Sequence, residues 1–391
     1  MRPIPITNNH MTSHQRVTAA LNHKQPDRVP INLFSADAYL LGGEPRLAEL
    51  CDFLGISPVD KEQALTDLGV DMRDVGPRKK PGCYTSWPNR YAADPVRTYT
   101  NDGATYTVCI DGCERRLRGE FEGSAPHRPS ITGRLTEAEI NRVYPPNPEL
   151  LDWAVQGEAP AKIEGLHKRG LAAVSGFLFL PAGETSQDIL ALNDWCIELA
   201  LNPNMIERLM DRYLEHVYAY AESYFAAMGG DLDVIQIISD DVASQRSLWL
   251  SPADYRRYIK PRQAAVIRFV KERTNAKVML HCCGACREII GDFIDIGIDI
   301  LSPLQTSAVG MDPFEIKREF GSDICFWGGI DTMKVLPHGS PQEVADAVKR
   351  HIDALAPGGG YVLGPSQLLQ GDVPVRNIVT MYRTAVEYCS S

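Results

Sequence analysis

KVMLHCCGACREII, residues 277–290, runs from an apolar stretch through one histidine and three cysteines into a charged segment. A short buried-strand pattern that gives way to a helical one is the unit from which parallel α/β sheets are made. The unit recurs along the chain, with strand patterns at 29–34, 70–75, 171–177, 234–239, 277–281, 299–303, 324–328 and 361–364. Eight such strands separated by helices predict a closed parallel barrel, the (β/α)8 TIM barrel. One domain spanning residues 1–391 follows, since barrels of this kind commonly run to 250 residues or more.

Helix starts between the strands are marked by local chemistry. SPQE at 340–343 is a capping box with proline at the first helical position, and Val344, Val348 and Ile352 follow on one face. SPAD at 251–254 and TEAE at 136–139 are signals of the same kind. Residues 77–130 fit neither period. They are rich in Gly, Pro and aromatic residues, and YTNDGATYTVCIDG within them reads as β-hairpin material. The segment is expected to be an irregular, hairpin-containing insertion near the barrel mouth.

Composition narrows the function. The formal net charge is −10 and the basic residues are scattered, which argues against a nucleic-acid partner. No stretch approaches the roughly 20 apolar residues of a membrane span, and MRPIPITNNH lacks a signal-peptide core, so a cytoplasmic protein is expected. Ten cysteines in such a chain read as thiols or metal ligands, not as a disulfide framework. Cys109 and Cys113 have metal-like spacing but no neighbouring pair, which favours a structural role.

Strand alternation sorts the cluster at 281–286. Met279, His281 and Cys283 share one face, whereas Val278, Leu280 and Cys282 share the other. His281 and Cys283 therefore point together at the C-terminal end of a strand, where barrel active sites are built. An imidazole and a thiolate suit Zn²⁺, and a catalytic zinc needs a third protein ligand. Packing without a metal is the other reading of the cluster. Cys282 should face the helices, while Cys286 could reach inward.

Other polar groups fall at strand ends. Asp240 and Asp241 close the strand DVIQIISDD, with Asp240 on the face of Gln236 and Asp241 on that of Ile235; either could act as acid, base, clamp or ligand. Asp331 ends FWGGID, where two glycines would let a ligand approach the backbone. Glu184 follows the third strand, and Ser366 and Gln367 follow the eighth, beyond a GGG turn that lacks the lysine of a phosphate-binding loop. Asp240, Asp241 and Asp331 are the candidate catalytic groups. Gln236, Glu184, Ser366 and Gln367 are the candidate substrate contacts.

Several segments in order resemble the uroporphyrinogen decarboxylase superfamily. They are RVTAALNHKQPDRVPINL (16–33), DDVASQRSLWLSPADYRRYIKP (240–261), HCCG (281–284), GMDPFEIKREFG (310–321), FWGGID (326–331) and DVPVRNIVTMY (372–382). The likeness is greatest to the zinc-dependent, corrinoid-linked methyltransferase branch, and it spans nearly the whole chain. It implies a single (β/α)8 barrel with its site at the strand C-termini. The decarboxylases carry an arginine-containing Arg-Gln-Ala-Gly-Arg motif after the first strand, but NLFSADAYLLGG (32–43) has no arginine to hold a polycarboxylate.

In the methyltransferase branch a His-x-Cys motif supplies two zinc ligands, which His281 and Cys283 match. The third stands just past the eighth strand, and this chain reads GPSQLLQ there, placing Ser366 or Gln367 at that point. Asp240, Asp241, Glu184, Cys286 and Cys325 are the substitutes, a mouth carboxylate being favoured. The implied activity is methyl transfer between a small methylated or methoxylated substrate, or an acceptor, and a corrinoid (cobalamin). No Asp-x-His-x-x-Gly corrinoid motif occurs, so the corrinoid is expected on a separate partner protein. A homodimer is compatible with this scheme. A metal-free decarboxylase and a non-catalytic binding barrel are the alternatives.

Overall fold

The computed structural model describes residues 11–32, 44–76, 97–102, 104–108, 114–118, 121–122, 129–143, 159–179, 181–228 and 231–388. Seven parallel strands form one sheet in the order β1 (Met72–Asp74), β6 (Ala172–Phe179), β7 (Val234–Ser239), β8 (Lys277–His281), β9 (Ile300–Leu304), β10 (Cys325–Ile330) and β11 (Tyr361–Pro365). The intervening β2 (Arg97–Asn101), β3 (Ala104–Val108), β4 (Glu114–Arg118) and β5 (Phe121–Glu122) make a separate four-stranded antiparallel meander. That meander occupies the segment that reads as an insertion, with Asn101 opposite Ala104 at the β2–β3 turn. Cys109, Cys113 and most of 32–43 lie outside the described residues.

The sheet curls, and its two edges meet the same piece of backbone. Asn32 N donates to Leu363 O of β11, Leu363 N donates to Pro30 O, and Asp71 N beside β1 donates to Ile31 O. The first expected strand, 29–34, is thus reduced among the described residues to a single bridge at Ile31.

That bridging segment is held by charge. Asp71, fully buried, accepts from Arg16 Nη1 at 2.7 Å, Arg28 Nη1 at 2.8 Å, Arg28 Nη2 at 3.0 Å and Ile31 N at 2.8 Å. Arg16 also holds Asp27 through Nε (2.7 Å) and Nη2 (2.9 Å). Bidentate guanidinium–carboxylate pairs of this type fix orientation as well as charge. Arg16, Asp27 and Arg28 all belong to the RVTAALNHKQPDRVP segment, which thus locks in place the backbone that joins the two edges of the sheet.

Period-two burial separates two cores. Ile235, Ile237, Val278, Leu280, Leu301 and Leu363 face the surrounding helices. Val234, Met279, Ile300, Trp327 and Val362 face inward with Met72, Ala172 and Val174, and Val17 and Leu21 of the helix Ser13–Leu21 join them at the strand N-termini. Each such side chain, fully buried, contributes about 1.5–3 kcal/mol, so side-chain direction is strongly specified along every strand. Ser340 and Glu343 form the capping box expected of SPQE, and Ser251 and Thr136 accept from the amides of Asp254 and Glu139. Among the described residues no helix is long and apolar enough to cross a membrane.

Candidate metal centre

The ends of β7 and β8 bring three donors of different kinds together. Asp241, His281 and Cys283 each offer one ligand atom, all within 4.8 Å of one another. Cys283 Sγ lies 3.3 Å from His281 Nε2, and His281 Nε2 lies 3.9 Å from Asp241 Oδ1. Cys283 N donates to Asp241 Oδ1 at 2.6 Å, so the carboxylate is fixed by the backbone of the residue beside which it stands. From the end of β11, Gln367 Nε2 donates to Cys283 Sγ at 3.3 Å, and Gln367 Oε1 accepts from Leu368 N.

Local backbone explains the convergence. His281 is the last residue of β8, and Asp240 N donates to its carbonyl while Cys282 N donates to Ser302 O of β9. Alternation then carries Met279, His281 and Cys283 to one side, as the sequence predicts. Gly284 has φ +88°, and a Cβ there would stand 2.5 Å from Ser244 O. Only glycine fits that turn. The loop after Cys283 accordingly lies against the 243–248 segment, with Ala285 N bonded to Ser244 O.

Asp240 and Asp241 part company. Alternation places Asp241 on the outward face of Ile235, but β7 stops at Ser239 and the parity ends with it. Asp241 turns toward His281 and Cys283 instead. Asp240, fully buried, accepts from Gly183 N at 2.5 Å and Gln263 Nε2 at 2.7 Å, and Tyr255 in turn donates to Gln263 Oε1 at 2.6 Å. Burial pushes the Asp240 carboxyl up to about 7, against the pull of those donors. Those bonds tie the 181–184 turn to β7 and the helix Lys260–Lys271.

Two other proposed ligands are described and lie outside the trio. Cys286 is buried in the helix-facing core and hydrogen-bonds Cys282, which faces away from the trio as alternation predicts. Cys325 begins β10, at the opposite end of the sheet, with Sγ 3.6 Å from Leu21 O and 3.5 Å from His23 Nε2. Neither belongs to the group of donors that lie within 4.8 Å of one another. Glu184 ends the helix Pro181–Glu184, but its side chain lies outside the described residues.

The remaining candidates line or brace the strand ends. Gln236 is buried on β7 between Gly176 and Met279. Ser366 is buried, accepts from Thr332 N at 3.2 Å and holds the loop after β10. Both oxygens of Asp331 accept backbone amides, from Met333 on one and from Lys334 and Val335 on the other. The two glycines before it are also accounted for by packing. A Cβ at Gly328 would meet Pro365 O at 3.0 Å, and one at Gly329 would meet His351 and the Tyr361 hydroxyl at 3.0 and 3.2 Å. Protein, not ligand, fills that space.

The trio's protonation suits a cation. Burial lowers the His281 imidazole from its ordinary value, partly opposed by Asp241. Burial and the Asp241 charge raise the Cys283 thiol well above the ordinary thiol range. A neutral imidazole is ready to ligate, and a soft divalent ion can displace the thiol proton that burial otherwise retains. One imidazole, one thiolate and one carboxylate form a donor set that zinc accepts, with net ligand charge −2. The residues therefore fit the metal that the sequence resemblance implies, with Asp241 in the third position.

Comparison with known proteins follows the same line. The uroporphyrinogen decarboxylase (URO-D) family model matches residues 90–388. The methylated-thiol–coenzyme M methyltransferase of Methanosarcina mazei is 24% identical over 324 residues, covering 78% of this chain and 80% of its own. The methylcobamide:CoM methyltransferase MtaA of Methanosarcina barkeri is 26% identical over 203 residues, covering 52% of this chain and 55% of its own. Among solved structures, a methyltransferase from Methanosarcina mazei aligns with a TM-score of 0.61 at 19% identity over 97% of this chain and 99% of that one, a likeness of fold.

Proposed function

The chain belongs to the uroporphyrinogen decarboxylase family, and from that premise we propose that it is a zinc-dependent methyltransferase exchanging a methyl group between a small substrate and a corrinoid on a separate protein. The small substrate is a methylated or methoxylated compound, or a methyl acceptor. Residues 30–32 complete the curled sheet as the eighth stave of a (β/α)8 barrel, which puts the metal centre at its mouth. The observation that carries the reading is the convergence of Asp241, His281 and Cys283 at the ends of two adjacent strands. The two similar curated proteins are both named as methyltransferases, which favours methyl transfer over decarboxylation.

His281 Nε2, Cys283 Sγ and a carboxylate oxygen of Asp241 would hold the ion. Bound there, zinc supplies a Lewis acid that stabilises negative charge on the oxygen or sulfur from which the methyl group departs or to which it is added. The chain's own groups prepare that site. Asp241 and the Cys283 thiolate together neutralise a divalent charge, so an incoming substrate meets a centre with no net charge. The Gln367 amide, aimed at Cys283 Sγ, withdraws electron density from the thiolate and keeps the sulfur directed inward. The Cys283 N–H holds Asp241 in reach of the same point.

Metal content of the purified protein tests this. The wild type should hold near one equivalent of zinc at this centre, and Cys283→Ser and Asp241→Asn should each lose most of it together with methyl transfer to or from a corrinoid protein. Equal zinc in the wild type and Cys283→Ser would overturn the ligand assignment. Full metal with decarboxylation of a small acid, and no methyl transfer, would overturn the reaction.

A further inference from the structure

Three side chains at the opposite end of the sheet make a second cluster that the proposed reaction does not use. His14 lies in the helix Ser13–Leu21, His167 in the last turn of the helix Ala159–Lys168, and Asp233 immediately before β7. His14 Nε2 is 2.8 Å from Asp233 Oδ1, and His167 Nε2 is 2.9 Å from Asp233 Oδ2. The two imidazoles stack, with centroids 4.5 Å apart and planes 19° from parallel. Asp233 Oδ2 also accepts from Ala173 N at 2.7 Å.

We propose that His14, His167 and Asp233 form a second, structural metal site for a zinc-like divalent cation. All three ligand atoms lie within 4.8 Å of one another, and they come from three separate elements. Two imidazoles and one carboxylate favour Zn²⁺ and its transition-metal neighbours and disfavour Mg²⁺ and Ca²⁺, which seek all-oxygen shells. Metal–donor bonds of about 2.0–2.2 Å spread the donors a few tenths of an ångström beyond these hydrogen-bond distances. The histidine side chains, 35% and 27% exposed, have room for that shift and leave an entry path and a water position.

The two centres are independent. Asp233 and Asp241 are eight residues apart along one strand and its ends, on the order of 25 Å at the strand rise. No thiolate belongs to the second site. It would pin the N-terminal helix, whose His14 N already donates to Gly170 O, and the helix carrying His167 to the start of β7. Metal would thus tighten the closed end of the barrel without touching the reacting groups, and the assignment holds whether or not the methyltransferase reading does.

The test isolates this site by removing the first. The full chain carrying Cys283→Ser and His281→Ala, stripped with a chelator, should bind one equivalent of Co²⁺ with a d–d spectrum lacking a thiolate charge-transfer band. It should melt several degrees higher with Zn²⁺ and not with Mg²⁺. Adding His167→Gln, or His14→Ala, should abolish both responses. Failure of the double variant to take up Co²⁺ or Zn²⁺ at micromolar concentration overturns the proposal, as does unchanged uptake after His167→Gln. Should either histidine variant fail to fold, the cobalt spectrum of the double variant decides alone.

Discussion

Gln367 donates to a sulfur that two other side chains crowd, so its amide sets how strongly that sulfur can donate to a metal. Groups that orient a ligand from outside are commonly worth 10–100-fold in metal affinity. Gln367→Leu, which keeps the bulk and drops the donor, should weaken zinc binding by roughly tenfold in a chelator competition, and affinity equal to wild type would show the contact to be incidental. His281 and Cys283 could be read from strand alternation because both belong to, or directly extend, a regular strand. Asp241 could not be chosen over Asp240 in the same way. Period-two reasoning lapses where β7 ends, and which of two adjacent carboxylates turns inward is decided by the Cys283 amide on one side and by Gly183 and Gln263 on the other.

At the scale of elements, the turn after Cys283 is the most constrained piece near the site. Gly284→Ala meets a left-handed φ and a carbonyl at 2.5 Å, strain of about 1–3 kcal/mol from the backbone conformation alone. The variant should lower the melting temperature and also displace Cys283 enough to reduce zinc content; unchanged metal would show that the turn does not position the thiolate.

A second element is held by charge. Asp292, in the helix Ile290–Asp295, is buried, which opposes ionisation, yet Arg256 and Lys260 hold its carboxyl below the ordinary carboxylate range. A depressed carboxyl pKa stabilises the fold above the ordinary value near pH 4 and loses that contribution as pH falls through the depressed one. Asp292→Asn should therefore cost about 1–3 kcal/mol in denaturant unfolding at pH 7, and the gap from wild type should shrink toward pH 3. A gap that is constant with pH would show the loss to be one of packing. Strand and helix positions of this sort were legible in the sequence, as the capping box at Ser340 and the strands at 234–239 and 277–281 show. The ion pairing was not, because Asp292 and its partners Arg256 and Lys260 are brought together only by the packing of two helices.

On the scale of the whole molecule, closure rests on Asp71. Among the described residues it is the carboxylate shared by Arg16, Arg28 and the Ile31 amide, and removing it leaves one buried and one partly buried guanidinium group without that counter-charge. Loss of one partner from a buried pair costs about 3–5 kcal/mol. Asp71→Ala should lose stability of that order in denaturant unfolding, and a loss below about 1 kcal/mol would show that the segment 27–32 is held mainly by its backbone bonds. Repetition of strand and helix patterns makes the parallel α/β sheet legible in the sequence. It does not reveal that the first of the eight expected strands is represented by a single bridge, since the apolar run at 29–34 looks as strand-like as the others.

The inward-facing core has a kinetic consequence. Met279, Trp327, Val362 and their neighbours fill the space between the strands, and Val17 and Leu21 close it from below. On the proposed function, with that core filled by described side chains, a small substrate and a corrinoid protein would arrive through the same doorway at the strand C-terminal ends. The bulkier reactant would then shut out the smaller one once docked, so the proposed function predicts a compulsory order of addition: small molecule first, protein second. Initial-rate measurements should then show the small molecule's product competing with the small molecule alone, and excess corrinoid protein slowing turnover by trapping the empty enzyme.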